Sequence, residues 1–212
     1  KKVMENNKTI YIPNLTLGNT KSVVNMINRI GGEVIIANSP EEMLDAKKII
    51  LPGVGSFDSG MRELKAGGWA KVLKKLVIDQ NIPILGICLG MQLFFDSSEE
   101  GLEAGLGWIS GNLKKFNSTE KEKIKIPHMG WNTLTIKKKD SILPDEPNTE
   151  ARFYFVHSYH ALCSNLECVT ATAFHGSEIT AAVQKNNIYG VQFHPEKSHR
   201  FGMSLLKNYL LI

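Results

Sequence analysis

No apolar run in the 212-residue chain approaches the roughly 18 residues that a membrane-spanning helix needs, which excludes such a helix. Cysteine is scarce. The three residues stand at 88, 163 and 168, an odd number without repeated spacing. That argues against the disulfide framework of a small secreted protein. Neither sign of charge dominates: 25 Lys and Arg against 21 Asp and Glu leave +4, too little and too scattered for a nucleic-acid-binding surface. The start of the chain, Lys1 to Lys8, is polar and lacks the apolar centre of a signal peptide; Met4 is a candidate start residue. No repeat, low-complexity linker or composition break divides the sequence. The expectation is a reducing, cytoplasmic setting, with no membrane and no nucleic acid as partner.

What is present is ordinary globular material. Hydrophobic residues make up 42% and charged residues 22%, with 18 Gly and 8 Pro, which rules out a disordered or collagen-like chain. The length suits one well-cored domain, expected to span 1–212. The first half alternates strand and helix signals. Thr9 to Ile12, Val34 to Ala37, Ile49 to Leu51 and Ile82 to Ile87 read as strands. Between them, Asn19 or Thr20 caps an amphipathic helix that ends at Gly31-Gly32. Ser39-Pro40-Glu41-Glu42 has the residues of a helix start, and helical stretches follow at Trp69 to Ile78 and Leu89 to Phe95. Such alternation predicts a parallel sheet with helices on both faces. The second half reads as strands and hairpins: Lys114 to Ile136, Phe153 to Tyr159, Val169 to Phe174, and Ile179 to Phe193 with a turn at Asn186-Asn187. A last helix covers about Phe201 to Leu210.

Chemistry concentrates at Gly86-Ile87-Cys88-Leu89-Gly90. A nucleophile between two glycines, after an apolar strand and before a helix, has the pattern of a nucleophile elbow. The tight turn requires glycine neighbours and projects the sulfur above the sheet edge. The helix start favours thiolate, and the Leu89 N–H is placed for an oxyanion. The alternative is a structural cysteine in a tight turn. A cysteine nucleophile needs a base, and the base an orienting group. Among six histidines, His194 stands out, because it ends a strand and Pro195-Glu196 follow. Proline keeps His194 extended, so Glu196 at i+2 shares its side. Cys88, His194 and Glu196 form the expected triad. Pro52-Gly53-Val54-Gly55 also follows a strand, hence the same edge, and suits a second oxyanion donor; the alternative there is a plain turn. Gln92 lies one helical turn beyond Cys88 and shares its face.

Three segments carry a resemblance: Leu51 to Phe57, Gly86 to Gln92 and Gly190 to Ser198. They resemble the class I (triad) glutamine amidotransferases, whose flavodoxin-like open sheet has a parallel core and antiparallel strands from the second half. Pro127 to Asn132 and Phe155 to Tyr159 are similar to the glutaminase subunits of imidazole glycerol phosphate synthases. One segment departs: Pro13 to Asn19 stands where that subunit type has Asp-Tyr-Gly-x-Gly-Asn, and only the terminal Gly18-Asn19 is kept. A paralogous glutaminase, supplying ammonia for amidino-sugar synthesis in surface polysaccharide, therefore stays open. The resemblance implies that Gln92, Ser158 and Tyr159 hold the glutamine amino-acid end. It implies that Gly53, Val54, Gly55 and Leu89 form the oxyanion hole. It places Trp131, Asn132 and Lys197 at the interface with a (β/α)₈-barrel cyclase or synthase, in a heterodimer that channels ammonia.

The implied reaction is hydrolysis of L-glutamine to glutamate and ammonia, without metal or organic cofactor. Free ammonia in water becomes mostly ammonium, which is no nucleophile, so a docked synthase and a protected channel make chemical sense. A stand-alone cysteine hydrolase and a non-catalytic binding subunit are the competing classes. Gln92 with the His157-Ser158-Tyr159 block argues against the first, and the intact Cys88, His194 and Glu196 against the second. Cys163 and Cys168 lack the spacing of a zinc site. Lys121 to Lys123 and Lys137 to Lys139 read as solvated strand ends and turns, and His128, His160, His175 and His199 show no chemical partner.

Overall fold

Ile49-Ile50-Leu51 is apolar at every position because both faces of its strand are covered, and the same holds for Ile84 to Ile87. In the computed structural model, Ile49, Leu51 and Ile84 enter one apolar cluster, and Ile50, Leu85 and Ile87 the other. The period of two therefore divides the core into layers above and below one sheet. The structure describes residues 8–18, 20–118, 123–139, 142–144 and 150–212. Met4, the cap expected at Asn19, and Lys121 and Glu122 lie outside them.

The sheet is built from β1 (Thr9–Pro13), β2 (Glu33–Ala37), β3 (Ile49–Gly53) and β4 (Ile84–Cys88). A short β5 (Ser97–Ser98) and β6 (Gly111–Lys115) follow, then β7 (His128–Thr133) and β8 (Thr135–Ile136). The remaining strands are β9 (Arg152–His157), β10 (Tyr159–Cys163), β11 (Val169–His175), β12 (Ser177–Lys185) and β13 (Ile188–Val191). The large sheet has the order β2-β1-β3-β4-β13-β12-β11-β8. It is parallel from β2 to β13 and antiparallel beyond. β10-β6-β5 and β7-β9 form two smaller sheets.

Among the described residues, α1 (Thr20–Arg29), α2 (Phe57–Ala66), α3 (Trp69–Lys74, continued by a π-helical turn at Lys75–Asp79), α4 (Leu89–Gln92) and α5 (His199–Leu210) cover the large sheet. Val23 and Ile27 of α1 and Leu205 and Tyr209 of α5 bury one face of the sheet, while Met61 and Leu64 of α2 and Leu73 of α3 bury the other. The Asn186-Asn187 hairpin forms as expected, with Asn186 at φ 55°. Two helix expectations are shortened. Pro40–Met43 is a single 3-10 turn without a Ser39 side-chain cap, and Glu42 bonds Asn38 N–H instead. Regular α-helix after Cys88 stops at Gln92 and continues as turns to Phe95. Among the described residues, no helix is long and apolar enough to cross a membrane.

Candidate active site

Cys88 is the last residue of β4 and the cap of α4, with φ 54° and ψ −110°. A non-glycine residue there costs about 1–3 kcal/mol of backbone strain. Its glycine neighbours are sterically required. A Cβ on Gly90 would overlap the Leu51 carbonyl oxygen, and one on Gly86 would sit 2.6 Å from Met91 N and the Phe94 ring. Both glycines let α4 fold back tightly over the strand ends, which is what turns Cys88 outward. With four residues, α4 has little macrodipole to offer the sulfur. Side chains from other elements, His194 and Gln192 among them, gather at the sulfur instead.

His194 follows β13, and Pro195–Lys197 forms a 3-10 turn that swings Glu196 under the ring. His194 Nδ1 lies 2.6 Å from Glu196 Oε1, with the two side chains 1% and 4% exposed. That contact fixes the proton on Nδ1 and leaves Nε2 for chemistry. Nε2 makes no other hydrogen bond, and its ring faces the Cys88 sulfur. Burial favours the neutral ring, but hydrogen bonds and charge from Cys88 and Glu196 outweigh it and raise the His194 pKa to about 10. Ser198 holds the backbone of this turn. Its hydroxyl donates to His194 O at 2.6 Å and accepts from Tyr154 N–H at 3.0 Å. Sequence reasoning gave Ser198 no role; its place directly after the triad turn was the available signal.

A cavity of about 400 Å³ opens at Cys88, bounded by Val54, Gly55, Leu89, Gln92, Glu100, Val156, His157, Ser158 and Tyr159. Parallel pairing sets Gly53 directly beside Cys88. The residues expected to form the oxyanion hole thus gather at Cys88, with one exception in orientation. Val54 N–H donates to Leu17 O at 2.7 Å, so this amide points away from the cavity. The acceptor lies in the loop after β1, the segment that departs from the glutaminase-subunit pattern. Leu89 N–H, at the first position of α4, has no intrahelical acceptor and remains the better placed donor.

Gln92 is buried at the cavity wall, where its amide bonds Tyr159 O at 3.2 Å and the Gln192 side chain at 2.9 Å. Gln192, fully buried, reaches Cys88 Sγ at 3.7 Å. Behind Tyr159, His157 and His128 bond each other at 2.9 Å, and Asn132 bonds His128 at 3.1 Å. His128 therefore has a partner, contrary to expectation. So does His175, which bonds Lys125 O at 2.8 Å, while His199 stacks on Trp131 at 5.3 Å. His160 stacks on Phe116 at 4.8 Å, its Nδ1 without a hydrogen bond. Apart from Asn132, four residues on from His128 in β7, these partners lie far off in sequence, so spacing held no signal for them.

A family model described as "Glutamine amidotransferase class-I" matches residues 12–212. The chain belongs to the class I glutamine amidotransferase family. Among relatives of this amidotransferase is "Imidazole glycerol phosphate synthase subunit HisH 2" of Methanococcus maripaludis, 50% identical over 201 residues, or 95% of this chain and 98% of that protein. "Imidazole glycerol phosphate synthase subunit HisH" of Bdellovibrio bacteriovorus is 44% identical over 94% of this chain and 98% of that one. A solved structure, "Structure of PurLQS from Thermotoga maritima", shares the fold with TM-score 0.72 at 19% identity, covering 95% of this chain and 97% of that chain.

In this amidotransferase two of the residues expected at a partner interface, Trp131 and Lys197, lie near His194. Trp131 is exposed and packs edge-on to Tyr154 at 6.0 Å, and Lys197 Nζ lies 5.8 Å from the same ring. Tyr154 in turn bridges His194 through backbone pairing. Asn132 points inward, to His128 and to Phe174 O. Neutralising the orienting carboxylate has a defined outcome. Glu196→Gln should keep the fold, lower turnover by up to about 10⁴-fold, and move the alkaline limb of the pH–rate profile downward, because one support of the raised His194 pKa is gone. His194→Ala should cost more, since the proton carrier itself is lost. A kinetically silent Glu196→Gln would reduce the triad to a dyad.

Proposed function

We propose that this chain is the glutaminase subunit of an imidazole glycerol phosphate synthase, hydrolysing L-glutamine and delivering ammonia to a (β/α)₈-barrel cyclase in a heterodimer. The observation that carries the chemistry is the buried His194–Glu196 contact of 2.6 Å with Cys88 facing the ring. The names of the relatives carry the pathway. Glutamine enters the cavity with its carboxamide over Cys88. The thiolate attacks the amide carbon while His194 holds the proton taken from sulfur. Charge on the carbonyl oxygen is met by Leu89 N–H and by the Gly53–Gly55 loop once an amide there turns inward. His194 gives its proton to the departing nitrogen, and ammonia leaves a γ-glutamyl thioester. Water, deprotonated by His194, then releases glutamate and restores the thiolate–imidazolium pair.

Specificity for an amino acid rests on the far wall. Glu100 is the only carboxylate among the cavity-lining residues and matches a substrate ammonium. It was missed because an isolated Glu in an acidic stretch carries no pattern. Glu100→Gln should raise KM for glutamine about tenfold or more and change kcat far less. An equal fall in kcat would move Glu100 from binding to chemistry. The pathway is tested by glutamine turnover of the chain alone, with the histidine-pathway cyclase, and with an amidino-sugar synthase. Stimulation by the cyclase alone is expected. Stimulation by the sugar-pathway synthase alone would select the paralogous role, which the departure at Pro13 to Leu17 leaves open.

A further inference from the structure

We propose that Gln192 is a further catalytic residue: its side-chain amide donates a hydrogen bond to Cys88 Sγ and holds the sulfur charged and aimed. The proposal rests on the reading of Cys88 as nucleophile. The two ends of a glutamine amide are distinguished by their partners. Here the partners leave no freedom. The Tyr159 carbonyl only accepts, so the end of Gln92 that faces it at 3.2 Å is the nitrogen. The second N–H of that nitrogen points at Gln192 across 2.9 Å, so the Gln192 group there is its oxygen. The opposite end of the Gln192 amide, its nitrogen, is therefore what lies 3.7 Å from the sulfur.

A second series of bonds converges on the same Tyr159 carbonyl from behind and holds it in place. His157 Nδ1 donates to Tyr159 O at 2.7 Å, which leaves its Nε2 as an acceptor for His128 Nδ1–H. His128 Nε2 then accepts from Asn132, whose other N–H goes to Phe174 O at 2.9 Å. Burial keeps both rings neutral, pushing His157 down to about 3 and His128, beside His175, to about 4. Tyr159 O thus accepts from both sides, and the branch that starts with Gln92 ends at Cys88. Gln192 is fully buried, so no exposed route lets water replace the sulfur as acceptor. An N–H facing a thiolate forms a charge-assisted bond; facing anything apolar it would be stranded.

Two groups thus stabilise the thiolate. His194, backed by Glu196, does so by charge, and Gln192 by a neutral donor that needs no proton of its own. The other ionisable groups at the cavity are the neutral His157, Tyr159 and Glu100, whose negative charge opposes the thiolate. When the thioester breaks down, the sulfur leaves as the anion, and the Gln192 N–H again meets the charge as it forms.

The test is the pH dependence of Cys88 alkylation by iodoacetamide in the full-length chain, read by peptide mass mapping, beside steady-state turnover. Gln192→Met keeps the volume and removes the donor. Its alkylation profile should shift upward by about one pH unit, with kcat about tenfold lower and KM nearly unchanged. Gln192→Glu keeps the acceptor for Gln92 but sets a carboxylate against the sulfur, and should shift the profile further. A profile that coincides with the unsubstituted chain in either folded variant overturns the proposal. In the unsubstituted chain, the side-chain amide NMR signals of Gln192 should move over the same pH range as alkylation, and a fixed signal would contradict it without recourse to any variant. Glutamine turnover surviving in Cys88→Ala would instead remove the nucleophile reading beneath it.

Discussion

Cys88→Ser should lose glutamine hydrolysis by about 10⁴-fold or more while keeping the fold. The hydroxyl is nearly isosteric, but it is a far weaker acid and a poorer nucleophile than a thiol. A glutamine-mimicking electrophile should label Cys88 and neither of the other cysteines. Burial pushes the Cys163 thiol up to about 11, so almost none of it is thiolate at neutral pH, and Cys168 is buried. Only Cys88 combines cavity access, a strained backbone and two stabilising side chains. Labelling concentrated on Cys163 or Cys168 would remove the assignment.

Isolated glutaminase activity should be low and rise about a thousandfold when the partner synthase binds. The structural reason is the Val54 amide. Its N–H is spent on Leu17 O at 2.7 Å, which leaves the developing oxyanion short of one donor. Reorientation is sterically cheap on one side, because Gly55 has φ 112° and empty space where a Cβ would lie. On the other side, a Cβ on Gly18 would collide with the Val54 side chain, so the loop after β1 sits directly on the strand end. Partner binding that favours the inward amide by about 4 kcal/mol gives a factor of about 10³. The coupling would keep glutamine from being consumed without an acceptor. Full activity of the chain alone, unchanged by either synthase, would sink this explanation and promote the stand-alone hydrolase.

The parts of this protein that were legible in the sequence are those where local sterics and pattern coincide. The glycines around Cys88 announced an elbow because only glycine fits against Leu51 O and Met91 N. Pro195 announced the extended His194, and Glu196 at i+2 followed. Strand-helix alternation gave the parallel core, and the Asn186-Asn187 turn gave the β12–β13 hairpin. Illegible parts depend on direction or on distant pairing. Nothing in Pro52 to Gly55 reveals which way the Val54 N–H points. The Gln92–Gln192–Cys88 series joins the residue after β13 to the β4–α4 turn; helical spacing put Gln92 on the face of Cys88, but nothing local pointed to Gln192. The helix expected through Phe95 stops early because distant backbone takes its carbonyls: Leu93 O accepts from Leu106 N–H, and Phe94 O from Trp108 and Ile109 N–H.

The central claim is that Cys88 forms a γ-glutamyl thioester that His194 and water resolve. Rapid acid quench of the chain during glutamine turnover, with its partner synthase present, followed by peptide mass mapping, tests it directly. The expected result is a glutamyl adduct on the peptide carrying Cys88, accumulating further when Glu196→Gln slows the water step. An adduct on another residue, or glutamate produced at full rate with no adduct and with Cys88 replaced, would contradict it.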